Sequence, residues 1–175
     1  VKGDGGLGLA ENLEEVRRRI AESARRAGRA PEAVTLVAVS KGQPPERVRE
    51  ALAAGVRALG ENRVQELLAK QAALGPGPEW HFVGRLQTNK VRALLARAPV
   101  RLVHSLDRAA LAEELDRQAR RLGKVQPVLV QVNVSGEPTK AGVRPEELLP
   151  FLRWVAGLAG LEVQGLMTMA PRSAA

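Results

Sequence analysis

Short apolar segments alternate along this chain with amphipathic ones, and that alternation constrains its fold more than any other feature. Six segments read as strands: residues 34–39, 56–59, 79–83, 100–104, 127–134 and 161–167. The first, Val34-Thr-Leu-Val-Ala-Val39, is a nearly continuous apolar run rich in β-branched residues, the pattern of a strand buried on both faces. Before it, Leu13, Val16, Ile20, Ala24 and Ala27 recur at helical spacing over 12–27. Asn12 and Glu15 have the spacing of a capping box, and Gly28 supplies a stop. Pro44-Pro45 opens a second helix that ends at Gly55, and amphipathic stretches follow over 63–74, 88–98, 107–122 and 145–158. Asp107 is placed as an N-cap, Gly123 as a stop and Pro145 as a first-turn proline.

Strands alternating with helices imply an α/β fold with a parallel sheet, because parallel neighbours need crossover connections. The alternation fits both a (β/α) barrel and an open doubly wound sheet. The first strand–helix turn, Ser40-Lys-Gly-Gln-Pro-Pro45, lacks Gly-x-Gly-x-x-Gly, and the chain has no Walker loop, which favours the barrel. The 175 residues suffice for one domain with a substantial core, and no composition break marks a linker. With only 2% aromatic residues and no Tyr, that core is aliphatic.

No apolar run approaches the roughly 18 residues of a membrane span, and the Gly-rich start carries no secretory-signal pattern. There is no Cys, which excludes disulfides, thiolate nucleophiles and cysteine zinc sites. The cytoplasm is the expected compartment. A net charge of +8 raises the question of nucleic acid or another polyanion. The Arg residues, however, are spread over several helices and stacking aromatics are nearly absent, so solvated helix faces are expected instead.

In both architectures ligands bind beyond the carboxyl ends of the strands. There the sequence places Ser40 and Lys41, Glu61 and Asn62, residues 84–90, Ser105, Asn133 and Ser135, and Met167 and Thr168. Lys41 directly follows an apolar strand, where partial desolvation would free its neutral amine for attack on an aldehyde. The competing role is a snorkelling lysine with its head in water. His81 reads as a hydrogen-bonded structural residue, and His104 suits either role. Glu61 reads as a general base or a loop carboxylate. Two histidines without a paired carboxylate at ligand spacing do not make a metal site, and no Gly-x-Ser-x-Gly elbow is present.

Seven motifs occur in order: Ala38-Val-Ser-Lys41, Gly60-Glu-Asn-Arg-Val-Gln-Glu66, Trp80-His-Phe-Val-Gly-Arg-Leu-Gln-Thr-Asn-Lys90, His104-Ser-Leu-Asp107, Gln131-Val-Asn-Val-Ser-Gly-Glu137, Thr139-Lys-Ala-Gly142 and Gly165-Leu-Met-Thr-Met-Ala-Pro171. Together they resemble the pyridoxal-phosphate homeostasis protein family, a fold-type III, alanine-racemase-like single barrel. The resemblance implies a (β/α)8 TIM-barrel type fold. It implies a Schiff base between Lys41 and pyridoxal 5′-phosphate, with Asn62, His81, Ser105, Asn133 and Met167 lining or supporting the pocket. Lys140 matches a second lysine implicated in handling or releasing the cofactor. The implied role is non-catalytic homeostasis of the cofactor and linked amino-acid pools by a monomer, with hand-over to apo-enzymes. A racemase or decarboxylase on the same fold is the alternative, as is a basic polyanion-binding barrel. Related racemases use a tyrosine as second base, and this chain has none. The family continues past the last motif for two more βα units that grip the phosphate. The sequence is therefore expected to carry about six of eight units, with a weakened phosphate site.

Overall fold

The computed structural model describes residues 8–137 and 140–169. Thr139 of the Thr-Lys-Ala-Gly motif, Pro171 and the residues after it, and the first seven residues lie outside that set.

The first helix, α1 (Leu9–Arg26), starts three residues before its expected position. Gly8 is its N-cap, and the Gly8 N–H donates to Glu11 Oε2 at 2.7 Å. Asn12 already sits one turn inside, its N–H bonded to Gly8 O, so the expected Asn12–Glu15 box is replaced by a single contact, the Glu11 carboxylate on the Gly8 N–H. Gly28 ends the helix as expected, at φ +66°.

Five βα units follow: β1 (Val37–Val39), α2 (Pro45–Ala53), β2 (Ala58–Glu61), α3 (Val64–Leu74), β3 (Glu79–Phe82), α4 (Thr88–Arg97), β4 (Val100–Leu106), α5 (Ala109–Arg121), β5 (Gln126–Gln131) and α6 (Leu148–Val155). The last strand is β6 (Leu161–Met167). A 3-10 turn, Pro145–Glu147, leads into α6 with Pro145 in its first turn. The α5 N-cap is Arg108 rather than Asp107, whose carboxylate is taken by the Arg108 guanidinium at 2.5 Å.

All neighbouring strands are parallel, and their spatial order is their chain order, β1 to β6. A doubly wound sheet reverses direction at a switch point, whereas unbroken succession is the order of a barrel. The structure thus decides the choice that periodicity left open.

One sheet face packs against the helices. Leu59, Trp80, Phe82, Val103, Leu106, Val128 and Val130 meet Leu67, Leu94, Leu111 and Leu115 there, all at most 2% exposed. Each fully buried Leu stabilises the fold by roughly 1.5–3 kcal/mol. Strand alternation sends the intervening residues to the opposite face. A Cβ on Gly60 would lie 3.1 Å from Val39 and 3.2 Å from Val37, so these three share that inner face. Val39 is 48% exposed, which corrects the expectation that this strand is buried on both sides. The reason is position: β1 and β6 each have one neighbour only, among the described residues.

Candidate functional site

Two residues beyond β1, the chain turns at Lys41-Gly42, and the Ser40 N–H, the Ser40 carbonyl and the Gly42 N–H on either side of Lys41 have fixed partners. The Ser40 N–H extends the ladder to Gly60 O at 3.0 Å, and Ser40 O accepts from the Gln43 N–H at 3.0 Å. Ser40 O also accepts from Lys70 Nζ at 2.5 Å, and the Ser40 hydroxyl donates to Glu61 Oε1 at 2.6 Å. On the other flank, the Gly42 N–H donates to Glu66 Oε2 at 3.1 Å. That bond is the chief cause holding the Glu66 carboxyl below the ordinary carboxylate range, with Lys70 adding to it against a smaller desolvation effect.

Glu61 is neither a loop carboxylate nor a free base. It ends β2 fully buried, with Oε1 in a 2.5 Å ion pair to Lys70 Nζ. Lys70 is 6% exposed, although nothing beside it in the sequence marks it as buried. The signal lies at helical spacing: Val64, Leu67 and Lys70 fall on one stripe of α3, and Glu66 precedes Lys70 by four residues. The Lys41 side chain is exposed, contrary to the desolvation expected of it, because it follows an edge strand whose inner face is open.

His81 lies in β3 between Trp80 and Phe82, so alternation turns it to the inner face. Its Nδ1 is 2.8 Å from His104 Nε2, with the rings edge-on at 62°. Burial pushes His104 down to about 4, and neighbouring His81 adds to the shift. Burial lowers His81 as well, opposed by the carboxylate of Glu79. Both rings are therefore neutral near pH 7, and one proton is shared between the facing nitrogens. His81 Nε2 is then bare or protonated according to tautomer, and it is buried with no partner among the described residues. Ser105 Oγ is in the same condition. Ser105 sits inside β4 and not beyond it, since the strand runs to Leu106.

The remaining expected residues stand at or beyond the ends of other strands. Asn133 Nδ2 donates to Glu137 O at 2.9 Å and Lys140 O at 3.2 Å, and Ser135 donates to its Oδ1 at 3.0 Å. Asn133 thus shapes the loop after β5, where Lys140 pairs with Glu137 at 3.3 Å. Met167 closes β6, at the sheet edge opposite Lys41. Asn62 lines a cleft of about 660 Å³ with Arg63, Arg85, Lys90 and Arg108, a cationic setting at the same end of the sheet. A Cβ on Gly84 would fall 2.3 Å from Asn62 O. Gly84→Ala is therefore expected to destabilise the fold by about 1–3 kcal/mol through overpacking against backbone, measurable as a lowered urea midpoint. An unchanged midpoint would show that the two loops separate freely.

Fold and site define a class: a barrel-ordered parallel α/β sheet bearing, at its carboxyl end, an exposed lysine on a fixed turn and a neutral imidazole pair, one ring buried and one half-buried, on the inner face. The family model described as "Alanine racemase, N-terminal domain" matches residues 11–175. The chain belongs to that family, within its group of pyridoxal phosphate homeostasis proteins. The relative of that name from Aquifex aeolicus is 46% identical over 166 residues, which are 94% of this chain and 72% of that protein. Among solved structures, PipY of Synechococcus elongatus PCC7942 without PLP is 40% identical, with TM-score 0.82, over 96% of this chain and 74% of PipY. PipY with PLP bound is 42% identical, with TM-score 0.74, over 89% and 72%. The fold alone is shared with an alanine racemase of Clostridium difficile 630, at 17% identity and TM-score 0.66, over 89% of this chain and 40% of that one. The architecture is that of a partial barrel.

The residues present suit a polar heteroaromatic aldehyde. The Lys41 side chain is exposed beyond the carboxyl end of the first strand. Two of the orphaned buried atoms, His81 Nε2 and Ser105 Oγ, have hydrogen-bonding capacity that no described residue uses.

Proposed function

We propose that this chain binds pyridoxal 5′-phosphate and serves its homeostasis, with Lys41 as the covalent anchor. When bound, the cofactor supplies an aldehyde carbon that an amine joins reversibly with loss of water, so that a reactive aldehyde is kept masked. The observation that carries the reading is the pairing of an exposed Lys41 amine with a backbone anchored on both flanks. The PLP-bound PipY structure supports it. His81 and Ser105 offer buried polar atoms to the ligand's ring substituents, His104 holds the His81 ring in place, and Asn62 and Asn133 shape the neighbouring loops. Met167 supports the pocket from the far edge, and Lys140 stands on a loop suited to handling cofactor in transit.

The role we propose is non-catalytic, in a cytoplasmic monomer that passes cofactor to apo-enzymes. Amino-acid turnover needs a second, well-placed acid or base, and these 175 residues hold no tyrosine of the kind that racemases use for it. Adding pyridoxal 5′-phosphate is expected to produce a visible absorbance band, and borohydride followed by peptide mapping is expected to place the label on Lys41. Lys41→Ala should abolish both. No band with the unaltered chain would overturn the binding role, and measurable racemisation or decarboxylation would overturn the non-catalytic one.

A further inference from the structure

We propose that Lys70 is a positioning residue for Lys41: a buried cation that fixes the peptide bearing the anchoring amine. The inference rests on the cofactor reading above and assigns α3 a part in it.

Burying an ion pair is an inefficient way to hold a helix against a strand. Desolvation costs several kcal/mol per ion, and well-packed apolar residues of similar volume are often as stabilising. Lys70 and Glu61 are 6% and 0% exposed. What this pair does that an apolar pair cannot is direct hydrogen bonds at a chosen backbone atom. Lys70 Nζ reaches Ser40 O at 2.5 Å, the carbonyl of the peptide that enters Lys41. Glu61 Oε1 accepts simultaneously from Lys70 and from the Ser40 hydroxyl, locking that side chain as well. Four residues before Lys70 on the same helix, Glu66 accepts from the Gly42 N–H, the peptide that leaves the turn. Gly42 stands at φ +70°, a left-handed conformation that glycine adopts at no steric cost.

Both peptides around Lys41 are therefore tied to α3, one to a cation and one to a carboxylate. Lys41 itself forms no ion pair among the described residues, and its side chain is exposed. The Lys41 Cα is held in a turn just beyond an edge strand that would otherwise let it wander, while the amine keeps its freedom to meet an aldehyde. Orientation of this kind matters steeply, since a misplacement of about 1 Å can cost on the order of 100-fold in rate.

The test compares the unaltered chain with two variants, Glu61→Gln combined with Lys70→Met, which removes both charges together, and Glu66→Ala, which frees the Gly42 N–H from a half-buried carboxylate and removes that carboxylate's longer contacts with Lys70 and Arg63 while leaving the Lys70–Ser40 bond in place. Circular dichroism first establishes which of them fold. Each is then incubated with pyridoxal 5′-phosphate, reduced with borohydride and mapped, reading the share of label on Lys41 against that on the other lysines. Hydrogen exchange at the Gly42 amide is measured alongside. The expected result in a folded variant is at least a tenfold fall in the Lys41 share, with faster Gly42 exchange. A folded variant whose Lys41 share stays within twofold of the unaltered chain overturns the positioning role and leaves a merely structural ion pair. If the double variant does not fold, Glu66→Ala decides by the same two readouts. Absence of Lys41 label in the unaltered chain overturns the cofactor reading instead. The positioning role is then judged by trinitrobenzenesulfonate labelling of Lys41, where a tenfold change in rate supports it and an unchanged rate overturns it.

Discussion

Lys70→Met made alone is expected to destabilise the fold by about 3–5 kcal/mol, the usual cost of removing one partner from a buried ion pair. Glu61 is fully buried and its Oε1 relies on Lys70 and Ser40. Its Oε2 has no partner among the described residues, so Met at 70 leaves a carboxylate with one hydroxyl donor in an apolar layer beside Leu59 and Leu67. Ser40 O keeps its Gln43 partner but loses the charged one. Total stability of a domain this size is of the order of 5–15 kcal/mol, so the single substitution consumes much of it. The penalty belongs to the orphaned charge and not to the lost contact. Adding Glu61→Gln to Lys70→Met should therefore recover most of the loss, a strongly non-additive outcome that a urea-denaturation cycle on the two singles and the double would show. A loss below about 1 kcal/mol for Lys70→Met would mean that water reaches Glu61 and that the pair is not buried in solution.

The same residues show what could be seen in the sequence and what could not. The alternation of strands and helices was legible because it follows from side-chain periodicity, which is local. So were Gly28 and Pro145, whose backbone preferences act where they stand. Strand ends were less so. The apolar pattern of the second strand stops at Leu59, yet the strand runs through Gly60 and Glu61, paired with His81 and Phe82. A carboxylate inside a buried strand reads as a terminator until its cation is known, and that cation lies nine residues on, on another element. Asp107 misled in the same way, since its carboxylate is claimed by arginines before it can cap a helix. Lys41 was picked out correctly as a lysine at a strand end, but its exposure depends on which strand has a neighbour, a property of the whole sheet. The contact between His81 and His104 spans 23 residues and two neighbouring strands whose register shifts beside His81, and no spacing rule announces it.

That histidine contact carries the remaining large prediction, a loss of stability in mild acid. His104 ordinarily titrates at 6.5, and burial with His81 beside it lowers the folded-state value to about 4. In the denatured chain the ring binds a proton near its ordinary value, whereas the native ring refuses one until about pH 4. Between these limits the unfolded state holds more protons, so stability is complete above pH 6.5 and falls as the pH drops towards 4. By linkage the loss is about 2 kcal/mol between pH 7 and pH 5. The surrounding charges do not reverse this sign: Glu79 opposes the downward shift of His81, Arg101 reinforces it, and burial exceeds both. Carboxylates held low in the fold, Glu66 among them, lose their contribution only as the pH falls from about 4.5, so the interval from 6.5 to 5 belongs to the imidazoles. Thermal midpoints at stepped pH should decline through that interval and flatten in His104→Gln, which keeps a hydrogen-bonding group beside His81 Nδ1 but cannot take up a proton. A midpoint that holds steady from pH 7 to pH 5 would show that solvent reaches the rings and that they titrate normally. A charge forced onto this pair also alters His81 Nε2, the orphaned atom on the inner face. Retention of cofactor should therefore weaken over the same interval as the fold, and it should do so less in His104→Gln.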